Sequence, residues 1–97
     1  MIVYWTETAL GHLRGIHEYI AQHSPLYAQR VVDRLTRRSV QIGTFPNAGR
    51  MVPELQRVDV REVLEGPYRV IYRLAPDRID VVAVFHGARQ PPWEDMG

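Results

Sequence analysis

Tyr68-Arg-Val-Ile-Tyr-Arg-Leu74 decides the fold. Aromatic and β-branched residues dominate this stretch, and its side chains alternate with a period of two. Tyr68, Val70, Tyr72 and Leu74 fall on one face, and Arg69, Ile71 and Arg73 on the other. That is the pattern of a strand. Gly66-Pro67 before it and Pro76-Asp77 after it are turn chemistry. Beyond each turn lies another run of strand formers, Val58 to Leu64 and Ile79 to Phe85, so residues 57–86 read as a three-stranded antiparallel meander. Strict alternation in the last run places Ile79, Val81, Ala83 and Phe85 on one face and Val82 and Val84 on the opposite one. The second face is apolar too. It has no helix left to cover it, so it awaits either a partner or the C-terminal tail folding back with Trp93.

Upstream of the meander the period changes. Met1-Ile-Val-Tyr-Trp5 reads as a short strand. Thr6 or Thr8 can cap a helix, with Glu7 near its positive end. Ala9, Leu13, Ile16 and Ile20 then recur at helical spacing, with Leu10 and His17 widening the stripe. Gly11 and Gly15 lower helix propensity, which implies close packing or simple tolerance. Ser24-Pro25 restarts the chain as a second helix, carrying Ala28, Val31, Val32, Leu35 and Ile42 inward and ending near Gly43. Residues 6–44 thus form an α-helical hairpin, Phe45-Pro-Asn-Ala-Gly-Arg50 and Pro53 a loop, and 87–97 a tail. The order is β-α-α-β-β-β, an α+β domain spanning 1–97.

Composition narrows the function. Ninety-seven residues, 45% hydrophobic and 24% charged, suit one ordinary globular domain. No apolar run reaches the roughly 20 residues of a membrane span, and no signal peptide is evident, so a cytoplasmic protein without membrane contact is expected. The absence of cysteine excludes disulfides, thiolate metal sites and cysteine nucleophiles. His12, His17 and His23 are not spaced for a shared helical face, so no metal or other cofactor is expected. All 12 basic residues are arginine and the net charge is only +1. Residues 1–52 hold six arginines against three acids, and residues 53–97 hold six against eight. Direct sequence-specific DNA binding is not expected from so even a balance.

Several motifs occur together in order: Trp5-Thr-Glu-Thr-Ala9, His17-Glu-Tyr-Ile20, Phe45-Pro-Asn-Ala-Gly-Arg50, Val60-Arg-Glu-Val63, Tyr68-Arg-Val-Ile-Tyr72 and Val84-Phe-His-Gly-Ala-Arg89. With them the chain resembles the RelE/ParE toxins of bacterial type II toxin–antitoxin systems, from Tyr4 to Pro92, and most closely the ParE branch. The resemblance implies a RelE/ParE-like α+β fold and a cognate antitoxin that neutralises the toxin. It also implies one of two activities, cleavage of messenger RNA on the ribosome or poisoning of DNA gyrase.

RNA cleavage without a metal needs a base, a cation and an acid around one phosphate. The nuclease branch typically places two lysines on the strand before the Tyr-Arg motif. Here those positions hold Val60 and Glu62, or Arg61 and Val63 after a one-residue shift, and Trp93 stands where a C-terminal tyrosine would be expected. These departures favour a non-enzymatic gyrase inhibitor over the alternatives of a ribosome-dependent endoribonuclease or a non-toxic antitoxin-binding module. Were the chain a nuclease, Arg69, His86 and Arg89 would be its catalytic set. Arg61, Arg69, Arg73, His86, Arg89 and Trp93 are the candidate target-binding residues. The competing expectation is that Arg69 and Arg73 pair with acids such as Glu62 or Asp80, and that His86 is a hydrogen-bonded structural residue. For the antitoxin, the candidates are Arg30, Arg34 and Arg37 along one side of the second helix, and Val82 and Val84 on the uncovered sheet face.

Overall fold

The computed structural model describes residues 1–96; Gly97, the end of the expected tail, lies outside the described residues. A first strand, β1 (Val3–Trp5), leads into α1 (Glu7–Ala21). Thr6, not Thr8, caps that helix, its hydroxyl oxygen accepting the Ala9 amide at 3.1 Å. After a short break Ser24 caps α2 (Pro25–Thr44) in the same way, accepting the Tyr27 amide at 3.1 Å, with Pro25 at the first helical position. The chain then forms β2 (Arg50–Met51), β3 (Val60–Glu65), β4 (Tyr68–Leu74), β5 (Ile79–His86) and a closing 3₁₀ turn, Trp93–Met96.

The meander is present and larger than the sequence suggested. Five strands make one sheet in the order β1-β5-β4-β3-β2, with β1 parallel to β5 and the other pairs antiparallel. β2 was expected to be loop. It joins the sheet because Arg50 and Met51 pair with Glu62 and Arg61 of β3. β3 starts at Val60, two residues later than expected, because Val58 and Asp59 turn, with the Val60 amide donating back to the Arg57 carbonyl at 3.3 Å, and leave Val58 exposed.

The strand faces depart from strict alternation at one point. The β4–β5 register shifts between Ile71 and Tyr72: Ile71 opposes Ala83, while Tyr72 opposes Val81. Val82 is thus the extra residue of a β-bulge, and the phase of β5 inverts across it. Ile79, Val81 and Val84 pack with Ala9, Leu13, Val31, Leu35, Val70 and Tyr72 in the core under the helices. Val82, Ala83 and Phe85 lie with Val52, Val60 and Ile71 in a second core on the opposite face, where Leu55 and Trp93 cover them. The expectation of an uncovered face at Val82 and Val84 is therefore corrected. Val84 is 1% exposed beneath the helices, and Val82 is 8% exposed under the chain's own loop and tail. Neither valine lies on an open sheet face, so the uncovered face on which their antitoxin contact was argued does not exist. Each fully buried side chain of this size adds about 1.5–3 kcal/mol.

Gly43 does not stop α2, which continues to Thr44. Its role is close approach: a Cβ there would stand 2.7 Å from the Met1 carbonyl oxygen and 3.0 Å from a Val3 methyl, where the Met1 amino group donates to the Gly43 carbonyl at 2.8 Å. At Gly15 a Cβ meets nothing within 4 Å. Opposite effects follow for one chemical change. Gly43→Ala should lower unfolding free energy by about 1–3 kcal/mol through backbone displacement. Gly15→Ala should raise it by about 0.5–1 kcal/mol through helix propensity. Urea denaturation of the two variants checks both signs.

Candidate functional site

Glu62 is the residue around which the charged side chains of the sheet arrange themselves. It sits on β3 on the same face as Val60, with its side chain 0% exposed. A carboxylate removed from water needs partners, and two arginines supply them. Arg50 Nε donates to Glu62 Oε2 at 2.7 Å, and Arg69 Nε donates to Glu62 Oε1 at 2.6 Å. Arg69 also donates from both terminal nitrogens to Glu54, at 2.8 and 2.9 Å, a bidentate pair. Its guanidinium lies 5.2 Å from the Phe85 ring centre and 5.7 Å from that of Trp93, and these rings meet edge-on at 5.6 Å. All three nitrogens of Arg69 are thus engaged with carboxylates, and its flat faces with aromatic rings.

The other expected residues are distributed differently from a single site. Arg73 shares the Arg69 face and pairs with Asp80 at 2.9 Å, which also accepts from Arg78 at 3.1 Å. Arg61 lies on the opposite, helix-facing side with Val63. It donates to the Gly49 carbonyl at 2.9 Å, and its Nε is buried without a partner. His86 stands edge-on to Tyr68, 5.6 Å between centroids, and its Nδ1 accepts the Ala88 amide at 3.0 Å. Arg89 lies 5.0 Å over the Tyr19 ring of α1. Trp93 packs as a cover for the second core. The catalytic set Arg69, His86 and Arg89 is therefore not assembled, because adjacent positions Tyr68 and Arg69 point to opposite faces and His86 follows Tyr68. The two positions where nuclease lysines would stand, Val60 and Glu62, are 4% and 1% exposed. Arg30, Arg34 and Arg37 are exposed along α2 as expected.

Three functional or organising contacts were not visible in the sequence. Glu54 reaches Arg69 from an irregular loop, where no periodicity announces a partner. The Tyr72 hydroxyl accepts the Gly49 amide at 3.0 Å and donates to the Pro46 carbonyl at 2.7 Å, fixing the Phe45–Arg50 loop. His12 Nδ1 accepts the Val84 amide at 3.4 Å, next to the bulge. Among the described residues no group of three or more His, Cys, Asp or Glu is placed to hold a metal ion. Among the described residues no helix is long and apolar enough to cross a membrane.

Two measurements test the charge cluster. Arg69→Ala should cost about 3 kcal/mol of stability, because Glu62 stays buried with one partner fewer. Arg69→Lys should restore only part of it, since an ammonium cannot serve both carboxylates in the same geometry. The Arg69 hydrogen bonds hold the Glu54 carboxyl below its ordinary value of 4.5. A carboxylate depressed in the folded state adds stability above its unfolded pKa and loses it as pH falls through the folded value. Glu54→Gln should thus be less stable than the parent chain at pH 7, and the difference should close on acidification below 4.5. A pH-independent difference would contradict the ion pair.

The family described as ParE toxin of the type II toxin–antitoxin system parDE matches residues 3–91. A curated relative, Toxin RelE2 of Caulobacter vibrioides, is 38% identical over 88 residues, covering 90% of this chain and 96% of the relative. In fold the chain is similar to the chromosomal ParDE system from P. aeruginosa, with a TM-score of 0.74 at 22% identity over 89% of this chain and 95% of the other. It is also similar to the RelBE2 toxin–antitoxin complex from Mycobacterium tuberculosis, with a TM-score of 0.63 at 19% identity over 88% and 95%. A match across nearly the whole sheet and helical hairpin, joined to a close relative of the same kind, has one reading: the chain belongs to the ParE/RelE family, as a toxin of a type II toxin–antitoxin system.

Proposed function

We propose that this chain is a ParE-type toxin that arrests DNA gyrase by binding it, and that a cognate antitoxin holds it inactive. One observation carries the choice between the family's two activities: Arg69, which the resemblance to the nuclease branch would make a phosphate-holding arginine, is neutralised by Glu62 and Glu54. A phosphorane developing negative charge needs a free cation in a pre-organised position. Here a phosphate would have to displace two carboxylates from a guanidinium that is 13% exposed. His86 and Arg89 lie on the other side of the sheet end and complete no triad with it. Gyrase arrest by binding asks for no proton transfer from this chain, and it suits a surface whose cations are spent on structure. The nuclease and the harmless-module readings remain as outcomes of the test.

The antitoxin half of the proposal draws on α2. Arg30, Arg34 and Arg37 recur at intervals of four and three, so they share one exposed side of the helix. Such a stripe steers an acidic partner to the toxin more than it holds it there.

Gyrase-catalysed supercoiling of relaxed plasmid, with the purified chain titrated in, tests the target. The expected result is loss of supercoiling, with linear plasmid accumulating after protein digestion. Undisturbed supercoiling by a folded, antitoxin-binding chain would contradict it. For the stripe, reversing Arg30, Arg34 and Arg37 to Glu should slow antitoxin association by about tenfold at low salt, with the difference shrinking as salt rises. Stopped-flow association rates at several ionic strengths read this out.

A further inference from the structure

The sheet has two open edges, and they are built differently. β2 is a strand of two residues, carries Arg50, and runs between Gly49 and Pro53, all of which discourage another strand from pairing with it. β1, at the opposite edge, has none of these devices. Met1-Ile-Val-Tyr-Trp5 contains no charged side chain, no proline and no glycine, and its register against β5 runs without a break.

The same register decides which main-chain groups of β1 remain available. The Ile2 carbonyl accepts the Ile79 amide at 3.0 Å, and the Thr6 amide donates to the Val81 carbonyl at 3.1 Å. Alternate residues of a strand turn their amide and carbonyl to the same side, so residues 2, 4 and 6 serve β5. Val3 and Trp5 aim theirs outward, where the sheet has no further strand. The side chains around that edge are apolar. Tyr4 alternates with Val3 and Trp5 and lies on the face away from the helices, the Arg78 guanidinium 5.8 Å from its ring centre. On the other face α2 rests on β1: Trp5 Nε1 donates to the Ser39 hydroxyl at 3.2 Å, and Gly43 closes on Val3. Arg38, one step back around the helix, reaches the Leu64 carbonyl of β3, so Val40, one step on from Ser39, projects beyond β1. Met1, Ile2, Tyr4 and Val40 are each between 51% and 68% exposed.

We infer that the free chain self-associates through this edge, two copies pairing β1 antiparallel about a two-fold axis at Tyr4. Val3 of each copy then stands opposite Trp5 of the other, and the two exchange their outward amide and carbonyl bonds. Tyr4 meets Tyr4 across the axis as a non-hydrogen-bonded pair, where side chains come closest and aromatic rings pair well. A second copy is the occupant because the edge completes itself. Its outward groups are symmetric about Tyr4, as an isologous contact requires, and the strand carries no charge for an acidic or basic partner to answer. The area sets the strength. Four such side chains offer on the order of 400 Å² per copy, about 800 Å² across the pair before the strand backbone is added, against the roughly 1,200 Å² of a stable complex. The dimer is therefore weak and concentration-dependent. This inference stands apart from the gyrase and antitoxin readings above.

Sedimentation velocity of the purified full chain, from micromolar to millimolar concentration, tests it. Tyr4→Arg sets two guanidiniums against each other across the axis at an exposed position. It should weaken self-association by about tenfold or more while keeping the parent's thermal unfolding. Val58→Arg, at an exposed site remote from β1, should leave self-association unchanged. Should Tyr4→Arg fail to fold, Val40→Arg places the charge at the same edge from α2. Amide exchange followed by NMR supplies a signature particular to this edge. The Val3 and Trp5 amides should slow severalfold as concentration rises, while the Tyr4 amide, committed to β5, is slow throughout. A chain that stays monomeric at millimolar concentration would overturn the inference. So would a dimer that Tyr4→Arg leaves intact, or one that forms without slowing Val3 and Trp5. Protection of those two amides by the antitoxin, in a chain that is monomeric alone, would overturn it as well and give the edge to that partner.

Discussion

One inserted residue in β5 governs the rest of the molecule. Val82 and Ala83 together oppose Ile71, so the strand crosses the bulge with its phase inverted. Upstream, Ile79 and Val81 face the helices; downstream, Val84 does. Between and around them Val82, Ala83 and Phe85 face the other way, and every residue from Ile79 to Phe85 becomes buried. A sheet apolar on both faces must be covered on both. The helical hairpin covers one face. The loop carrying Val52 and Leu55, with Trp93 from the tail, covers the other. The same inversion turns the Val84 amide toward α1, where His12 receives it. This link ties the end of β5 to α1.

The second constraint is electrostatic. A buried Glu62 obliges Arg50 and Arg69 to serve it, and Glu54 then closes the remaining side of Arg69. Burying charge this way is weak evidence of stabilisation, but it fixes the geometry, because removing either partner strands the other. The result is a sheet face whose cations are answered internally. Unanswered positive charge lies elsewhere, along the exposed side of α2 and at Arg89.

Much of this was legible in the sequence. Capping residues, helical spacing and the Gly-Pro and Pro-Asp turns located the elements, and the period of two found the meander. The ordered motif set carries the family resemblance without any geometry. The faces of β5 were not legible, because a bulge has no signature in a run of consecutive apolar residues: Val81 to Phe85 reads equally well in either phase. β2 was missed since two residues between a proline-glycine loop and another proline carry no period. Both acids expected to pair with Arg69 and Arg73 do so, Glu62 diagonally across from Arg69 and Asp80 directly opposite Arg73, but Glu54 arrives from an irregular segment that only tertiary structure positions. The dispersal of Arg69, His86 and Arg89 could not be read either, because it depends on which face each strand end presents.

The proposed gyrase reading holds that Glu62 and Glu54 sequester Arg69, so that no phosphate clamp forms and the toxin acts by binding. Incubating the purified chain with translating ribosomes and mapping messenger RNA ends by primer extension tests that claim most directly. Intact messages are expected at toxin concentrations that stop gyrase. Codon-position cleavage that disappears in a folded Arg69→Lys variant would contradict it, because it would require that guanidinium to leave Glu62 and Glu54 and take up a phosphate.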